Sequence, residues 1–291
     1  KIVKERRMST NYTFAKFDSR SKLLIKNINQ ISGTQLSPMR SSLNNDDLIM
    51  KSSLLDLHLK SVAIEQRKTN KYPIVKSHTL NFTGILPLIH LLSPEYEVWR
   101  LCSILHDRLI FPQEVKNETV KATLWKESRY RSLCDWVLDQ IKDELNLKIK
   151  NTSDPLDKIF YLLFLNDNIT AAKVAMSSNN AYLSVVLSFL GSNDPRVAEF
   201  ASHQLEAWEV SGHQVEPKVR RIYEILGETF FNSRTAILKL LEDFSWLAVF
   251  GLGLFYGRID ENSLEDLVFS LITKIPNLEE DLRYVTLQLY S

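Results

Sequence analysis

The residues that could support catalysis or bind a metal ion are few and scattered in this sequence. Six histidines occur, at positions 58, 78, 90, 106, 203 and 213. Only His106 comes close to a cysteine, because Cys102 lies four residues earlier on the same face of a predicted helix. A structural zinc ion needs four ligands, and this pair supplies two. We therefore interpret both residues as part of an ordinary helix interior and predict no metal site.

Motifs that carry catalytic chemistry are also missing. The sequence has no P-loop, no GxGxxG, no GxSxG and no HExxH motif. Carboxylate neighbours such as Glu242 and Asp243 fall on helix faces predicted to be solvated. The five tryptophans fall at apolar helix positions, where a core role is expected. We predict a protein that is not an enzyme and uses no cofactor or small-molecule substrate; an enzyme whose residues converge only in space is the alternative.

Composition limits the classes of partner. Lys and Arg number 36 against 35 Asp and Glu, a balance that argues against a nucleic-acid-binding surface. The longest apolar run, at 246–256, reaches 11 residues, and a membrane-spanning helix needs roughly 20. We predict no insertion into a membrane. Two cysteines at apolar helix positions indicate buried free thiols and an intracellular protein.

The first third of the chain differs from the rest. Residues 12–17 alternate and are rich in aromatics, and a four-residue polar link separates them from a second short apolar run at 22–26. This pattern predicts a β-hairpin within residues 1–31. An isolated hairpin is marginal in water, so we expect it to join another sheet, with a partner favoured as the source. Residues 32–92 read as a linker and an irregular segment.

From residue 93 onwards the sequence predicts one helix after another. Prolines at positions 94, 155, 195 and 217 each follow a capping residue, as at the first position of a helix. Glycines 191, 212, 227 and 257 stand where helices should end. Ten or eleven helices fit into these 199 residues. The proline starts are 61, 40 and 22 residues apart, so we predict an all-α fold, an irregular α-solenoid, over 93–291.

The helix predicted at 246–256 is apolar on nearly every face. Such a helix is either buried within its own chain or covered by a partner, and both alternatives stay open. The next helix, predicted at 263–275, is the other candidate for a contact with a helical partner. The residues that we predict for this contact are Trp246, Phe250, Leu254, Phe255, Leu267 and Leu271.

An ordered series of segments resembles one known family. The stretches EVWRLCSILH (97–106) and RYRSLCDWV (129–137) look like the first two trunk helices of that family. PLDKIFYL (155–162), AAKVAM (171–176), YLSVVLSFLG (182–191) and QLEAW (204–208) follow in the same order. The sequence resembles the ancestral-coatomer-element nucleoporins of the Y-shaped nuclear pore subcomplex. Within them it is most similar to the scaffold released from the C-terminal half of the autoproteolytic nucleoporin precursor.

The resemblance implies a structural role at the nuclear pore, on its cytoplasmic and nuclear faces. Family members donate a short β element to an open β-propeller that is shared with the COPII vesicle coat, and they bind a second helical nucleoporin through a helical crown. The resemblance also implies that residues 1–31 complete the propeller and that residues 93–291 form the trunk and the crown, without the family's tail module. The residues implied to bind the propeller are Tyr12, Phe14, Phe17, Leu23, Leu24 and Ile25. A vesicle-coat solenoid or a generic helical adaptor is the alternative.

Overall fold

The computed structural model describes residues 13–17, 23–27, 56–57, 59–65, 74–78, 81–91, 93–107, 117–190, 196–227, 229–257, 263–276, 278 and 280–291. Contacts divide the chain into two units, Lys1–Lys60 and Ser61–Ser291. This boundary lies inside the stretch that the sequence analysis assigned to a linker. Each unit is described by itself below.

The described strands of the first unit form one antiparallel pair. Strand β1 runs over Thr13–Phe17 and strand β2 over Leu23–Asn27. Phe17 lies opposite Leu23 and Ala15 opposite Ile25, which fixes the register. Among the described residues each strand has one neighbour, so each has an outer edge that pairs with no other strand.

A second antiparallel pair opens the other unit. Strand β3, Val62–Glu65, pairs with β4, Ile74–His78, with an irregularity between Ala63 and Ile64. These strands lie in the part of 32–92 that the sequence predicts to be irregular. Both strands contain adjacent β-branched or apolar residues that favour extended backbone, but four or five residues are too few for a periodic signal. Two 3₁₀ turns, Phe82–Gly84 and Leu86–Leu88, follow.

Eleven α-helices follow, with a third 3₁₀ turn, Thr229–Asn232, between the seventh and the eighth. They are α1 (Pro94–His106), α2 (Glu118–Asn151), α3 (Pro155–Phe164), α4 (Asn168–Ser177), α5 (Ala181–Leu190), α6 (Arg196–Ser211), α7 (Pro217–Leu226), α8 (Arg234–Asp243), α9 (Trp246–Tyr256), α10 (Leu264–Ile272) and α11 (Leu282–Tyr290). Three predicted proline starts, at 94, 155 and 217, are confirmed as first helical residues. The prediction for Pro195 falls outside the described residues, as does that for Gly191.

The helices pack as a stack that folds back on itself. Helices α3 to α7 contact one another in sequence, and α7 returns to contact α3. The chain then leads through α8 into α9, which contacts α2, α3, α8 and α10. Helix α11 finally packs against α1, so the last described helix lies beside the first. The prediction of a helical, solenoid-like stack is confirmed.

Helix α9 is the centre of this packing. Every residue from Leu247 to Leu254 is buried within the chain. Two glycines allow the neighbouring helices to approach closely. A Cβ atom on Gly251 would lie 2.7 Å from Cγ1 of Val137 on α2. A Cβ atom on Gly253 would overlap the side chain of Leu271 on α10 and lie 3.3 Å from Cε1 of Phe231. Of the two alternatives for this helix, burial within its own chain is the one found.

Two partly buried tyrosines connect α9 to its neighbours through hydrogen bonds. The Tyr256 hydroxyl lies 2.8 Å from Asn168 Oδ1 and 3.2 Å from the Leu163 carbonyl oxygen, at the turn between α3 and α4. The Tyr130 hydroxyl on α2 donates to the Leu254 carbonyl oxygen at 2.9 Å. Burial raises the pKa of both tyrosines. They therefore stay protonated and act as hydrogen-bond donors inside the stack.

Candidate interaction surfaces

The residues that came closest to a metal or catalytic pair lie where α1 meets α11; His106 is exposed there and Cys102 is half-buried. The His106 ring is 5.9 Å from that of Phe82 and 5.7 Å from that of Tyr290, centroid to centroid. Cys102 has Thr286 as a hydrogen-bond partner, and burial raises the pKa of its thiol. Across the described residues, no three His, Cys, Asp or Glu side chains are grouped so that they could hold a metal ion. This junction packs helices together.

The residues predicted to bind a propeller fall on the first hairpin. Phe14 and Phe17 belong to β1, whereas Leu23, Leu24 and Ile25 belong to β2. Tyr12 lies outside the described residues. The outer edges of this pair present the backbone groups that another sheet could pair with, and such pairing is how strand addition creates affinity.

The surface predicted for a helical partner needs a correction. Four of its six residues are buried within this chain: Phe250, Leu254, Leu267 and Leu271. They belong to the hydrophobic core of this chain and leave little apolar surface for a partner. Trp246 and Phe255 are only partly buried. The Trp246 indole is nevertheless engaged, since its Nε1 donates to Asp281 Oδ2 at 3.0 Å.

An exposed apolar surface that could bind a helical partner lies on a different helix, α5. On α5, Tyr182, Val185 and Phe189 are 56%, 49% and 56% exposed, and their spacing puts them on one face. Phe200 of α6, 40% exposed, extends this face, with its ring 5.9 Å from that of Tyr182. We call these four residues the α5–α6 patch. Contiguous exposed apolar side chains of this kind mark interaction sites more often than isolated ones do.

The apolar composition of α5 is a sequence feature that could have indicated the α5–α6 patch. Helix α5 is apolar on nearly every position, as α9 is. Leu183, Val186 and Leu187 already supply its buried face. The additional apolar residues must therefore point outward, but periodicity alone could not tell which of the two helices was central.

No helix in the described ranges is both long enough and apolar enough to cross a membrane. The described helices form a folded-back stack that includes an outward apolar face, which defines the class of helical scaffold proteins that act through their surfaces. Comparisons with known proteins then give the family. Residues 157–283 match the family described as nuclear protein 96.

Two curated relatives agree with this match. The chain is 38% identical over 290 residues to the nucleoporin NUP145 of Saccharomyces cerevisiae. It is 27% identical over 207 residues to the nucleoporin nup189 of Schizosaccharomyces pombe. The first alignment covers 100% of this chain and 22% of the relative; the second covers 65% and 11%. The chain thus spans about a fifth or less of these relatives.

The chain is similar to the nucleoporin family, and the resemblance read from its sequence is confirmed. Nucleoporins are structural components of the nuclear pore complex at the nuclear envelope. The prediction that this protein is not an enzyme is confirmed by its family.

Proposed function

We propose that this chain is a structural scaffold of the nuclear pore complex that joins a β-propeller protein to a second helical nucleoporin. In this role it supports pore assembly and nucleocytoplasmic transport. The observation that carries the proposal is the antiparallel pair β1–β2, which forms part of a separate unit from the helical stack and has unpaired outer edges among the described residues. The two units would then bind two different partners.

Strand donation explains why such a hairpin would be retained. A two-stranded sheet is marginal on its own and gains stability when its outer backbone groups pair with another sheet. A β-propeller with an open blade position offers an edge of this kind. The register is specified by alternate side chains, because a shift by one residue would turn every side chain to the opposite face. The propeller shared with the COPII coat is the partner that the family resemblance implies.

Deleting residues 1–30 is expected to abolish binding to this propeller. The deletion removes both strands and leaves residues 61–291, which form the separate second unit. The measurement is a pull-down of the purified propeller with the full chain and with the truncated chain, followed by titration. We expect the Kd to rise at least about 100-fold, since the main-chain pairing is lost altogether. The truncated chain should keep the helical circular dichroism of the full chain.

Two outcomes of this pull-down would count against the proposal. Undiminished binding after truncation would reject strand donation while leaving the propeller as a partner. Failure of both chains to bind would reject this propeller as the partner.

The α5–α6 patch is our candidate for the contact with the second helical nucleoporin. It replaces the buried residues of α9 and α10 in that role. Two neighbouring helices present its four side chains together, and aromatic residues dominate it. Clustered aromatic anchors carry much of the binding energy in protein interfaces. The physical support is therefore the exposed apolar area of Tyr182, Val185 and Phe200.

Val185→Asp is expected to weaken binding of the helical partner at least about 30-fold without unfolding the chain, because a charge would be buried at the centre of the interface. The matched control is Val210→Asp, since Val210 is 83% exposed on α6 and lies outside the patch. The measurement is the Kd for the helical nucleoporin by calorimetry, with thermal unfolding as a check on the fold. Equal affinities of the two variants would remove the patch from the interface.

A further inference from the structure

We propose that residues 81–91 form a strap on α1 that opens and closes as a local unit and is anchored by the carboxylate of Asp107. The strap contains the 3₁₀ turns Phe82–Gly84 and Leu86–Leu88. In the chain it lies between β4 and α1, within the second unit. It shares no residue with the α5–α6 patch, so this conformational device does not depend on the partners proposed above.

Three hydrogen bonds from the strap converge on the Asp107 side chain. The backbone N–H of Phe82 donates to Oδ1 at 2.7 Å. The backbone N–H and the hydroxyl of Thr83 donate to Oδ2 at 2.8 Å and 2.7 Å. Hydrogen bonds to an ionised acceptor are roughly twice as strong as those between neutral groups. Both oxygens of one carboxylate therefore hold the first turn of the strap.

The position of Asp107 is not explained by its own helix. Asp107 is the C-cap residue of α1, and the dipole of a helix disfavours negative charge at that end. Its backbone is fixed by another helix, because Arg129 Nη2 on α2 donates to its carbonyl oxygen at 3.1 Å. The carboxylate is thus presented to the strap from a fixed position, and the bonds from the strap offset the unfavourable dipole.

The strap follows the whole length of α1. Its first turn is held at the C-cap of this helix, and its last residue comes shortly before the N-cap, Ser93. The 13 residues of α1 span about 20 Å at 1.5 Å per residue. The strap therefore runs back along α1, from the end of the helix to its beginning.

The apolar contacts of the strap are separate from the main core. Ile85 and Ile89 are buried, yet neither belongs to the core cluster that unites the helices. The ring of Phe82 stacks against that of Trp99 on α1, with 6.1 Å between the centroids. Small satellite clusters of this kind occur under long loops. Detaching the strap would therefore leave the main core in place.

The backbone hydrogen bonds of the two turns are local. The N–H of Gly84 donates to the Asn81 carbonyl oxygen at 3.0 Å, and that of Leu88 to the Ile85 carbonyl oxygen at 2.9 Å. In the described ranges no backbone–backbone hydrogen bond joins the strap to a helix. Opening the strap breaks the bonds to Asp107 but leaves the hydrogen bonds of the helices intact. Local openings of this kind cost less free energy than global unfolding.

The strap controls how firmly the strand pair β3–β4 is connected to the helices. When it is closed, the chain that follows β4 is bound to the C-terminal end of α1 through Asp107. When it is open, the strands can shift relative to α1 while the helices stay folded. A negative charge at position 83 favours the open form, because two adjacent carboxylates repel each other.

The test is hydrogen–deuterium exchange of the full chain, followed by mass spectrometry of peptides that cover the strap and, as an internal reference, α9. In the unmodified chain the amides of the strap should exchange at least about 100-fold faster than those of α9. Asp107→Ala is expected to accelerate exchange in the strap at least about tenfold further, and exchange in α9 less than about twofold.

Asp139→Ala is the matched control for Asp107→Ala. It also removes a carboxylate that contacts α1, since Asp139 accepts a hydrogen bond from Arg100 at 2.6 Å, but this contact lies outside the strap. Because the pair is exposed, the control should change exchange in the strap less than about twofold.

Thr83→Glu keeps the proposal testable if Asp107→Ala does not fold. This variant retains both backbone donors and places a carboxylate beside Asp107, so exchange in the strap should rise at least about fivefold. Its control is Thr123→Glu, which adds the same charge at an exposed position on α2 and should leave the strap unchanged.

Three results would overturn the proposal. Equally slow exchange of the strap and α9 in the unmodified chain would mean that the strap opens only when the whole stack unfolds. Equal acceleration of the strap and α9 in Asp107→Ala would make Asp107 part of the main fold. Equal effects of Asp107→Ala and Asp139→Ala, or of Thr83→Glu and Thr123→Glu, would remove Asp107 as the anchor.

Discussion

The substitution Gly253→Val is expected to lower the free energy of unfolding of the helical stack by about 3 kcal/mol or more. A Cβ atom at this position overlaps the Leu271 side chain and lies 3.3 Å from Cε1 of Phe231. Leu271 is buried and cannot swing into solvent without leaving a cavity. Valine would add two further methyl groups to the same space. The measurement is equilibrium unfolding in urea followed by circular dichroism.

Ala207→Val is the control for this substitution. Ala207 is exposed on α6, so the variant introduces the same β-branched residue into a helix without crowding it, and a loss of less than about 1 kcal/mol is expected. If Gly253→Val unfolded at the same urea concentration as this control, close contact between α9 and α10 would not be what glycine permits there.

Phe250→Asp is the second substitution with a large expected effect, and it should prevent folding or cost more than about 4 kcal/mol. Phe250 is completely buried on α9. The variant both removes a large core side chain and places a carboxylate where water cannot reach it. Thermal unfolding and the near-ultraviolet circular dichroism of the aromatic residues would report the loss.

Phe269→Asp provides the matched control for Phe250→Asp. Phe269 lies on the adjacent helix α10 and is 56% exposed, so this variant should fold with a cost below about 1 kcal/mol. A Phe250→Asp protein that folds normally but no longer binds its helical partner would contradict the core assignment. It would restore the prediction that this face of α9 meets a partner.

The sequence predicted the helical elements well where local chemistry determines them. Proline after a capping residue marks a helix start because the missing N–H is not needed there, and this rule located the first residues of α1, α3 and α7. The family could also be recognised from the order of the helical segments. Both kinds of signal depend on neighbours along the chain.

The interaction surfaces could be predicted less well. Helices α5 and α9 are both apolar almost throughout, yet α9 is buried on all sides and α5 is exposed along one. The difference arises from how the chain folds back, which brings α2, α3, α8 and α10 around α9. No local pattern encodes that arrangement.

The contact between α11 and α1 has a mechanical consequence. In a regular solenoid each repeat contacts only its neighbours. The array can therefore extend elastically and unfold from its ends one repeat at a time. Here the returning helices contact helices far apart in the chain, and α9 contacts α2, α3, α8 and α10. Bending the stack would require several of these helix–helix contacts to shift at the same time. Contacts between helices far apart in the chain therefore make the stack stiffer than a regular solenoid of the same length.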